Sequence, residues 1–440
     1  MKVAPFSALV ALAFVLTSCG PAAPPAGDYG TVSGYVKDAA TGLPVAGAVV
    51  SISSIRLALW IGPGIPGPAP PELMRALRAV EVTQTDTAPC GFQLTFQTEL
   101  APQSDFAVVQ NDLLRPFSRV LVQVIVDGDP STLIDGFITH QQYLPSNGPD
   151  LSTFVVTGED VSVKMDLVSY SLEYPAMPDP AIAAVVLAKW LAFGILPCIV
   201  PTPVSLTPFS YVPQQSGTDR TFIQELAQRN GNVFYVTPGL VPFQNNAYWG
   251  PPPRVGVPSA VLNVAVGAAA TARSVQAQYD ALAPVATLGY AMETTADPYE
   301  PLPVATVGST RVPPLAARPA LTPVAVARQE TRLQLWPLTA EDAGLDPVTA
   351  NVQAQAQTDL STDAVVSVRC EVSPLQVGRV LQAPDIVGLR GTGEDYDGLY
   401  YLKSASHQIS LYSEGQWDYT QSLVLTREGV GTTTQLLEAP

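Results

Sequence analysis

Residues 119–129 read RVLVQVIVDGD, and this stretch decides the local fold. Every second position from 120 to 126 is valine, whereas the alternate positions are mixed, so the segment is expected to be a β-strand with one fully apolar face. The Asp127-Gly128 dipeptide is a strong signal for a tight hairpin turn. A second strand is therefore predicted across residues 133–143.

Further strand signals lie on both sides of this hairpin. Phe92, Leu94 and Phe96 alternate with polar residues, and residues 153–157 form another short β-rich run. Together these segments predict that residues 54–165 form an antiparallel barrel or a strongly bent sheet.

The middle of the chain has a different pattern. Residues 180–196 are apolar but contain Lys189 and are too few for a full membrane span, so a helix packed on a sheet is expected. Thr218 and Asp219 can cap a helix over residues 222–230. A strand over residues 232–237 and a proline-rich connection opened by Tyr248-Trp249-Gly250-Pro251 complete a predicted α/β insertion at 166–255.

The last third returns to β structure. Residues 256–345 are assigned to connecting strands and a proline-rich segment, and 346–440 to a second barrel. Its helix, 347–359, is rich in Ala and Gln and is expected to be exposed or to face an interface. The predicted strands cover residues 378–391, 398–411 and 419–427.

The first 19 residues carry an export pattern. Lys2 precedes an apolar stretch at 3–15, and Leu16-Thr17-Ser18-Cys19 follows. This resembles a bacterial lipoprotein signal peptide, in which the cysteine is acylated, so Cys19 is the candidate lipidation site and a possible membrane anchor. The alternative is an apolar strand or helix that happens to contain a cysteine.

Two short segments follow this pattern. Residues 20–29 are rich in Pro, Ala and Gly and are interpreted as a tether. Residues 30–53 predict a short β-hairpin that resembles the opening of the carboxypeptidase regulatory-like, or transthyretin-like, β-sandwich.

Composition excludes some functions and favours others. The chain has 440 residues, only 14% of them charged, and a formal net charge of −16. A strongly acidic protein is poorly suited to gripping phosphate backbones, so no nucleic-acid partner is expected. A surface poor in charge favours assembly with other protein chains.

No pattern predicts catalysis, a metal site or a cofactor. There are two histidines and four cysteines, and Cys90, Cys198 and Cys370 are expected to be buried free thiols. The acidic group Glu394, Asp395 and Asp397 is too close in sequence for a carboxylate pair across a cleft and is interpreted as a solvated turn.

Several longer strings together resemble the late control protein D family of phage baseplates, as found in contractile injection systems. They include RLALWIGPGIPGPAPPELMRALRAVEV at 56–82, LIDGFITHQQYLPS at 133–146, GTDRTFIQELAQRNGNVFYV at 217–236 and IVGLRGTGEDYDGLYYLKSASHQIS at 386–410. The resemblance extends over residues 55–433.

This resemblance implies a mainly β fold with an α/β insertion and two related antiparallel barrel domains. It implies a non-enzymatic baseplate hub, a homotrimer that joins the hexameric inner tube protein to the trimeric spike protein after cytoplasmic assembly into the particle. The N-terminal pattern leaves an alternative open: a surface-binding lipoprotein, lipid-anchored to the cell envelope, built from sandwich and barrel modules.

Overall fold

The computed structural model describes residues 55–98, 108–109, 111–146, 152–201, 212–264, 270–293, 300–337, 345–413 and 416–434. The predictions for Cys19, for the tether and for the hairpin at 30–53 lie outside these residues.

The first region is almost entirely β, as the alternating valines predict. A 3-10 turn at Asp112–Leu114 precedes the central hairpin, in which Asp127 and Gly128 both have positive φ. The elements are β1 (Ile55–Gly62), β2 (Gly67–Pro68), α1 (Pro71–Ala76), β3 (Leu77–Thr85), β4 (Gly91–Thr98), β5 (Arg119–Val126), β6 (Asp129–Leu144) and β7 (Ser152–Asp160).

The insertion begins with a 3-10 turn at Val161–Asp166 and mixes short strands with two helices. The predicted cap is confirmed, because the Thr218 hydroxyl accepts a hydrogen bond from the amide of Thr221. The elements are β8 (Ser169–Glu173), α2 (Asp179–Ala188), β9 (Ile195–Ile199), β10 (Gln214–Thr218), α3 (Asp219–Arg229), β11 (Val233–Pro238) and β12 (Asn245–Gly250).

The remaining chain returns to strands around one long helix. The elements are β13 (Val261–Asn263), β14 (Ala272–Tyr279), β15 (Val285–Glu293), β16 (Glu300–Ala305), β17 (Ala316–Pro319), α4 (Pro323–Ala327), β18 (Arg332–Trp336), α5 (Pro347–Thr362), β19 (Val366–Val372), α6 (Pro374–Val377), β20 (Asp385–Arg390), β21 (Gly398–Ser413), β22 (Gln416–Arg427) and β23 (Gly429–Thr432).

One sheet of 13 strands organises the described residues. Its order is β14-β19-β22-β21-β3-β4-β7-β6-β5-β1-β2, with β20 on β21 and β13 on β20. Smaller two- and three-stranded sheets lie in the insertion and in the region around α5. The fold is therefore mainly β with an α/β insertion, as predicted.

Two of the predicted elements are shorter than expected. The helix α2 ends at Ala188, and Gly194, at φ 82°, turns the chain into β9, which pairs in parallel with β12. The strand predicted over 378–391 is confined to β20, because Gly378 ends α6 at φ 78° and the strand begins only after Pro384.

The burial of α5 and the element that carries Trp249 also differ from the predictions. Ala350 and Ala354 of α5 are fully buried and pack with Trp336, because alanine allows the helix to approach the small sheet of β15, β16 and β18 closely. Trp249, expected in a proline-rich connection, lies in β12 and is fully buried. No helix within the described part of the chain is long and apolar enough to cross a membrane.

Candidate assembly interface

The acidic residues singled out in the sequence form a turn between β20 and β21. Asp397 accepts hydrogen bonds from the amide and the hydroxyl of Thr392, and Asp395 pairs with Arg318 at the surface. Glu394 is exposed. These carboxylates hold a loop, and within the described residues no group of three or more His, Cys, Asp or Glu side chains could hold a metal ion.

The three cysteines in the described residues differ in environment. Cys90 and Cys370 are buried, and burial raises the pKa of each thiol to about 12. Cys198 is exposed, which corrects the expectation of a buried thiol, because β9 carries it on the outer part of its small sheet.

Two parts of the large sheet have the same strand order. The first module runs β1-β5-β6-β7-β4-β3, and the second module runs β13-β20-β21-β22-β19-β14. In each, a 16-residue strand, β6 or β21, lies at the centre. One pairing differs, since β1 is antiparallel to β5 whereas β13 is parallel to β20.

Irregularities of the strands repeat as well. The register shifts between Ile138 and His140 on β6, and between Leu402 and Ser404 on β21. It also shifts at the equivalent places on β3 and β14, where the residue passed over is Arg78 in one and Arg273 in the other. Bulges occur at fixed positions within a fold. Because these bulges occur at equivalent positions in both modules, the modules are structural repeats whose residues can be matched one to one.

The modules are joined by antiparallel pairing of β3 with the second half of β21. Val80 and Val82 of β3 and Ile409 of β21 are at most 1% exposed, and Ile409 and Tyr419 belong to the core of the first module. The second module thus completes the hydrophobic core of the first.

A buried polar network lies in the same junction. Gln84 accepts a hydrogen bond from the amide of Ala383 (3.0 Å) and donates one to the carbonyl of Leu133 (2.8 Å), which fixes the orientation of its amide. Its Oε1 therefore accepts from His407 Nε2 (3.1 Å). His407 Nδ1 accepts from Tyr419 (2.8 Å) and from Gln421 Nε2 (3.1 Å).

These contacts specify a neutral histidine protonated at Nε2. His407 has no exposed surface, and burial lowers its pKa from about 6.5 to about 3. A second proton on Nδ1 would face the Gln421 amide group, which is a donor. Within this junction the histidine orients its neighbours and has no access to solvent.

Arg119 ties the insertion to the first module. Its guanidinium makes two 2.7 Å hydrogen bonds to Asp135 and a third, at 3.0 Å, to the carbonyl of Phe243 in the insertion. Asn245 of β12 donates to the same carboxylate at 2.8 Å. Asp135 is buried, and these donors satisfy its carboxylate oxygens.

Arg254 makes the corresponding connection to the second module. Its two terminal nitrogens donate to Glu428 at 2.8 Å and to Asp363 at 2.7 Å, and both Arg254 and Glu428 are almost fully buried. Arg311 shares Asp363 and also donates to the carbonyl of Gly231 beyond α3. The insertion is thus held at both ends by buried ion pairs.

No family model matches the chain, and neither does any curated protein. Several solved structures, however, match the chain. A tail protein from Neisseria meningitidis MC58 has a TM-score of 0.55 at 14% identity, over 86% of this chain and 98% of that protein. The chain therefore shares the fold of this tail protein.

Two further structures agree. The 43 kDa tail protein of prophage MuSo2 from Shewanella oneidensis has a TM-score of 0.55 at 13% identity, over 85% of this chain and 99% of that one. A structure of the Francisella PdpA–VgrG complex, half-lidded, has a TM-score of 0.51 at 9% identity, over 89% of this chain and 60% of the matched chain. At these identities the likeness concerns the fold.

Sequence reasoning missed the junction and both ion-pair connections. His407 lies within the strand predicted over 398–411, and no motif marks Gln84 or Gln421. The available signal was a polar side chain at a position that the alternation predicts to be buried, such as Gln84 after Val80 and Val82. Partners more than 300 residues apart leave no local pattern.

Proposed function

We propose that this chain is a structural hub protein of a phage-tail-like contractile injection system. In this proposal three copies assemble and join a hexameric inner tube to a trimeric spike. The observation that carries it is the repeat of one β-module within a single chain of tail-protein fold. Three chains with two equivalent modules each supply six, which is the number needed to face a sixfold tube.

The chemistry of the chain supports a role without catalysis. The acidic turn at 394–397 uses its carboxylates to hold its own backbone and Arg318, and the buried histidine has no route to a substrate. We therefore expect no peptidoglycan hydrolysis by the purified chain. Turnover that Asp395→Asn and Asp397→Asn abolish would contradict this part of the proposal.

The central experiment is the mass of the purified protein in solution. Light scattering after size-exclusion chromatography should give three times 46.4 kDa at micromolar concentration. The trimer should then co-sediment with the tube and spike proteins of the same system when the three are co-expressed. A stable monomer that binds neither would contradict the hub proposal.

A second candidate function rests on the Leu16-Thr17-Ser18-Cys19 sequence. In it the chain is a lipid-anchored protein of the cell envelope, whereas the hub proposal has it assembled in the cytoplasm. Labelled palmitate should enter the protein, and Cys19→Ala should remove the label, only if the lipoprotein function holds. Fractionation that finds the chain with tube and sheath proteins, without label, favours the hub.

A further inference from the structure

The equivalence of the two modules places β14 where β3 lies. Following the strand pairing outward from the matching bulges, Ser274 corresponds to Ala79, Ala277 to Val82 and the intervening residues follow in order. In the first module this strand is covered by β21, whereas β14 is the last strand of the large sheet among the described residues. The same structural position is thus an internal strand in one module and an edge in the other.

Side-chain burial follows this difference. Val80, Val82 and Gln84 are at most 2% exposed. Their equivalents on β14 are Val275, which is half-buried, Ala277, which is exposed, and Tyr279, which is 42% exposed. Apolar side chains alternate with Ser and Gln along β14, which is the pattern of a strand with one covered face.

The segment of β21 that pairs with β3 also has an equivalent in the first module, and this equivalent has an unpaired edge among the described residues. The second half of β21, which pairs with β3, corresponds to the end of β6 from residue 140 and to the two residues that follow it, 145 and 146. Among the described residues, strand pairing of this segment is to β7 alone. Ala405 of β21 is fully buried, whereas its equivalent Gln141 is exposed, and Leu144 is 46% exposed.

We propose that β14 of one copy pairs antiparallel with residues 140–144 of β6 in a neighbouring copy. This rests on the proposed trimeric hub and specifies its interface. Transfer of the register of β3 and β21 places Gln142 opposite Gln278, His140 opposite Asp280 and Leu144 opposite Gln276. Pro145, which has no amide hydrogen, ends the ladder.

The occupant of each edge is a second copy because the complementary edge is on the same chain. The two edges differ, so the contact is head-to-tail, and repetition of such a contact closes a ring when the rotation allows it. The junction inside the chain already shows the geometry between neighbouring modules. In three chains, the junction within each copy would alternate with the proposed junction between copies. The six modules would then form a ring.

Disulfide trapping in the full-length chain tests the register. Gln142 and Gln278 are both exposed, so cysteine at either position leaves the core intact. Directly opposite residues have Cα atoms about 4.5 to 5.5 Å apart, within the range of a disulfide. The background carries Cys19→Ser and Cys198→Ser, while Cys90 and Cys370 stay as buried thiols.

The double variant Gln142→Cys/Gln278→Cys should form covalently linked trimers under mild oxidation. The matched control Gln142→Cys/Ser274→Cys moves one thiol four residues along the strand, about 13 Å, and should stay unlinked. Each single variant should stay unlinked, and a mixture of the two singles should give linked dimers only.

The outcomes separate this inference from the function on which it rests. A trimer by light scattering without the 142–278 link overturns the strand pairing and leaves the trimeric hub intact. A monomer overturns both. A link that forms equally in the Ser274 control shows a non-specific contact and also overturns the pairing.

Discussion

β3 and β14 are the same strand of a repeated module in two different settings. β3 is covered by β21 of its own chain, and its inward side chains have no exposed surface at Val80 and Val82. β14 has no strand on its outer edge in the described residues, and Ala277 is exposed. One repeat of the junction therefore stabilises the fold, whereas the edges of the other repeat are open among the described residues.

The largest effect should come from a charge placed in the covered strand. Val82→Asp puts a carboxylate without a partner at a fully buried position, and we expect a loss of about 5 kcal/mol or more, enough to unfold a typical domain. Chemical unfolding monitored by tryptophan fluorescence measures it. Val82→Ala, with an expected cost of about 2 to 3 kcal/mol, separates lost packing from the buried charge.

Ala277→Asp is the matched substitution at the equivalent position of β14. It should alter the free energy of unfolding of the separated chain by no more than about 0.5 kcal/mol, because the site is exposed. It should also prevent the chains from associating into the proposed trimer, which light scattering detects. Equal destabilisation by the two Asp variants would show that the edges do not differ in the way described.

The next effect concerns the connection between the insertion and the second module. Arg254→Met keeps most of the side-chain volume but leaves Glu428 buried without its cation, so a loss of about 3 to 5 kcal/mol is expected. Adding Glu428→Gln should restore much of this, because Oε1 can still accept from the amides of Leu315 and Ala316. Chemical unfolding curves of the single and double variants give the two free energies of unfolding. If the double variant is no more stable than the single one, the loss comes mainly from packing around Arg254.

The buried histidine makes the covered junction sensitive to acid. Its pKa is about 3 when folded and about 6.5 when unfolded, so the unfolded chain binds the extra proton between these values. The stability it contributes is therefore complete above pH 6.5 and falls as the pH drops towards 3. At pH 4 the loss should be about 3 kcal/mol.

Comparison with His407→Gln isolates this contribution from those of the carboxylates. Glutamine can keep a hydrogen bond to Tyr419 or Gln84 without titrating. The difference in unfolding free energy between the two proteins should change between pH 7 and pH 4. A constant difference would show that the fold does not lower the pKa of His407.

Local patterns in the sequence were enough for most of the elements. Alternating valines specified β5, the Asp127-Gly128 pair specified its hairpin, and the Thr218 cap located the start of α3. Each of these signals acts over fewer than ten residues. The ends of α2 and β20 were misjudged because Gly194 and Gly378 adopt positive φ, which apolar content does not reveal.

The junction and the open edges could not be predicted in this way. Ala277 and Val82 look alike as members of alternating strands, and only strand order distinguishes an internal strand from an edge. The hydrogen bond between Gln84 and His407 joins residues that are 323 positions apart in the sequence. Such contacts are set by topology, and a single sequence carries no record of which strands meet.

The smallest effect is expected at the turn that differs most between the modules. The first module turns tightly at Asp127 and Gly128, whereas the second uses residues 391–397, where Arg318 pairs with Asp395. Both side chains of this pair are about 60% exposed, so Arg318→Ala should cost no more than about 1 kcal/mol.

Arg427, the last residue of β22, is the control because its side chain donates to carbonyls of the same turn. It is fully buried, lies over the ring of Tyr400 at 4.3 Å, and donates to the carbonyl of Asp397 at 3.0 Å. Arg427→Ala should therefore cost several times more than Arg318→Ala in the same unfolding assay, since it leaves buried carbonyls without donors. If the two variants cost the same, the longer turn of the second module is held by its surface charges, and the acidic residues matter to the fold more than their exposure indicates.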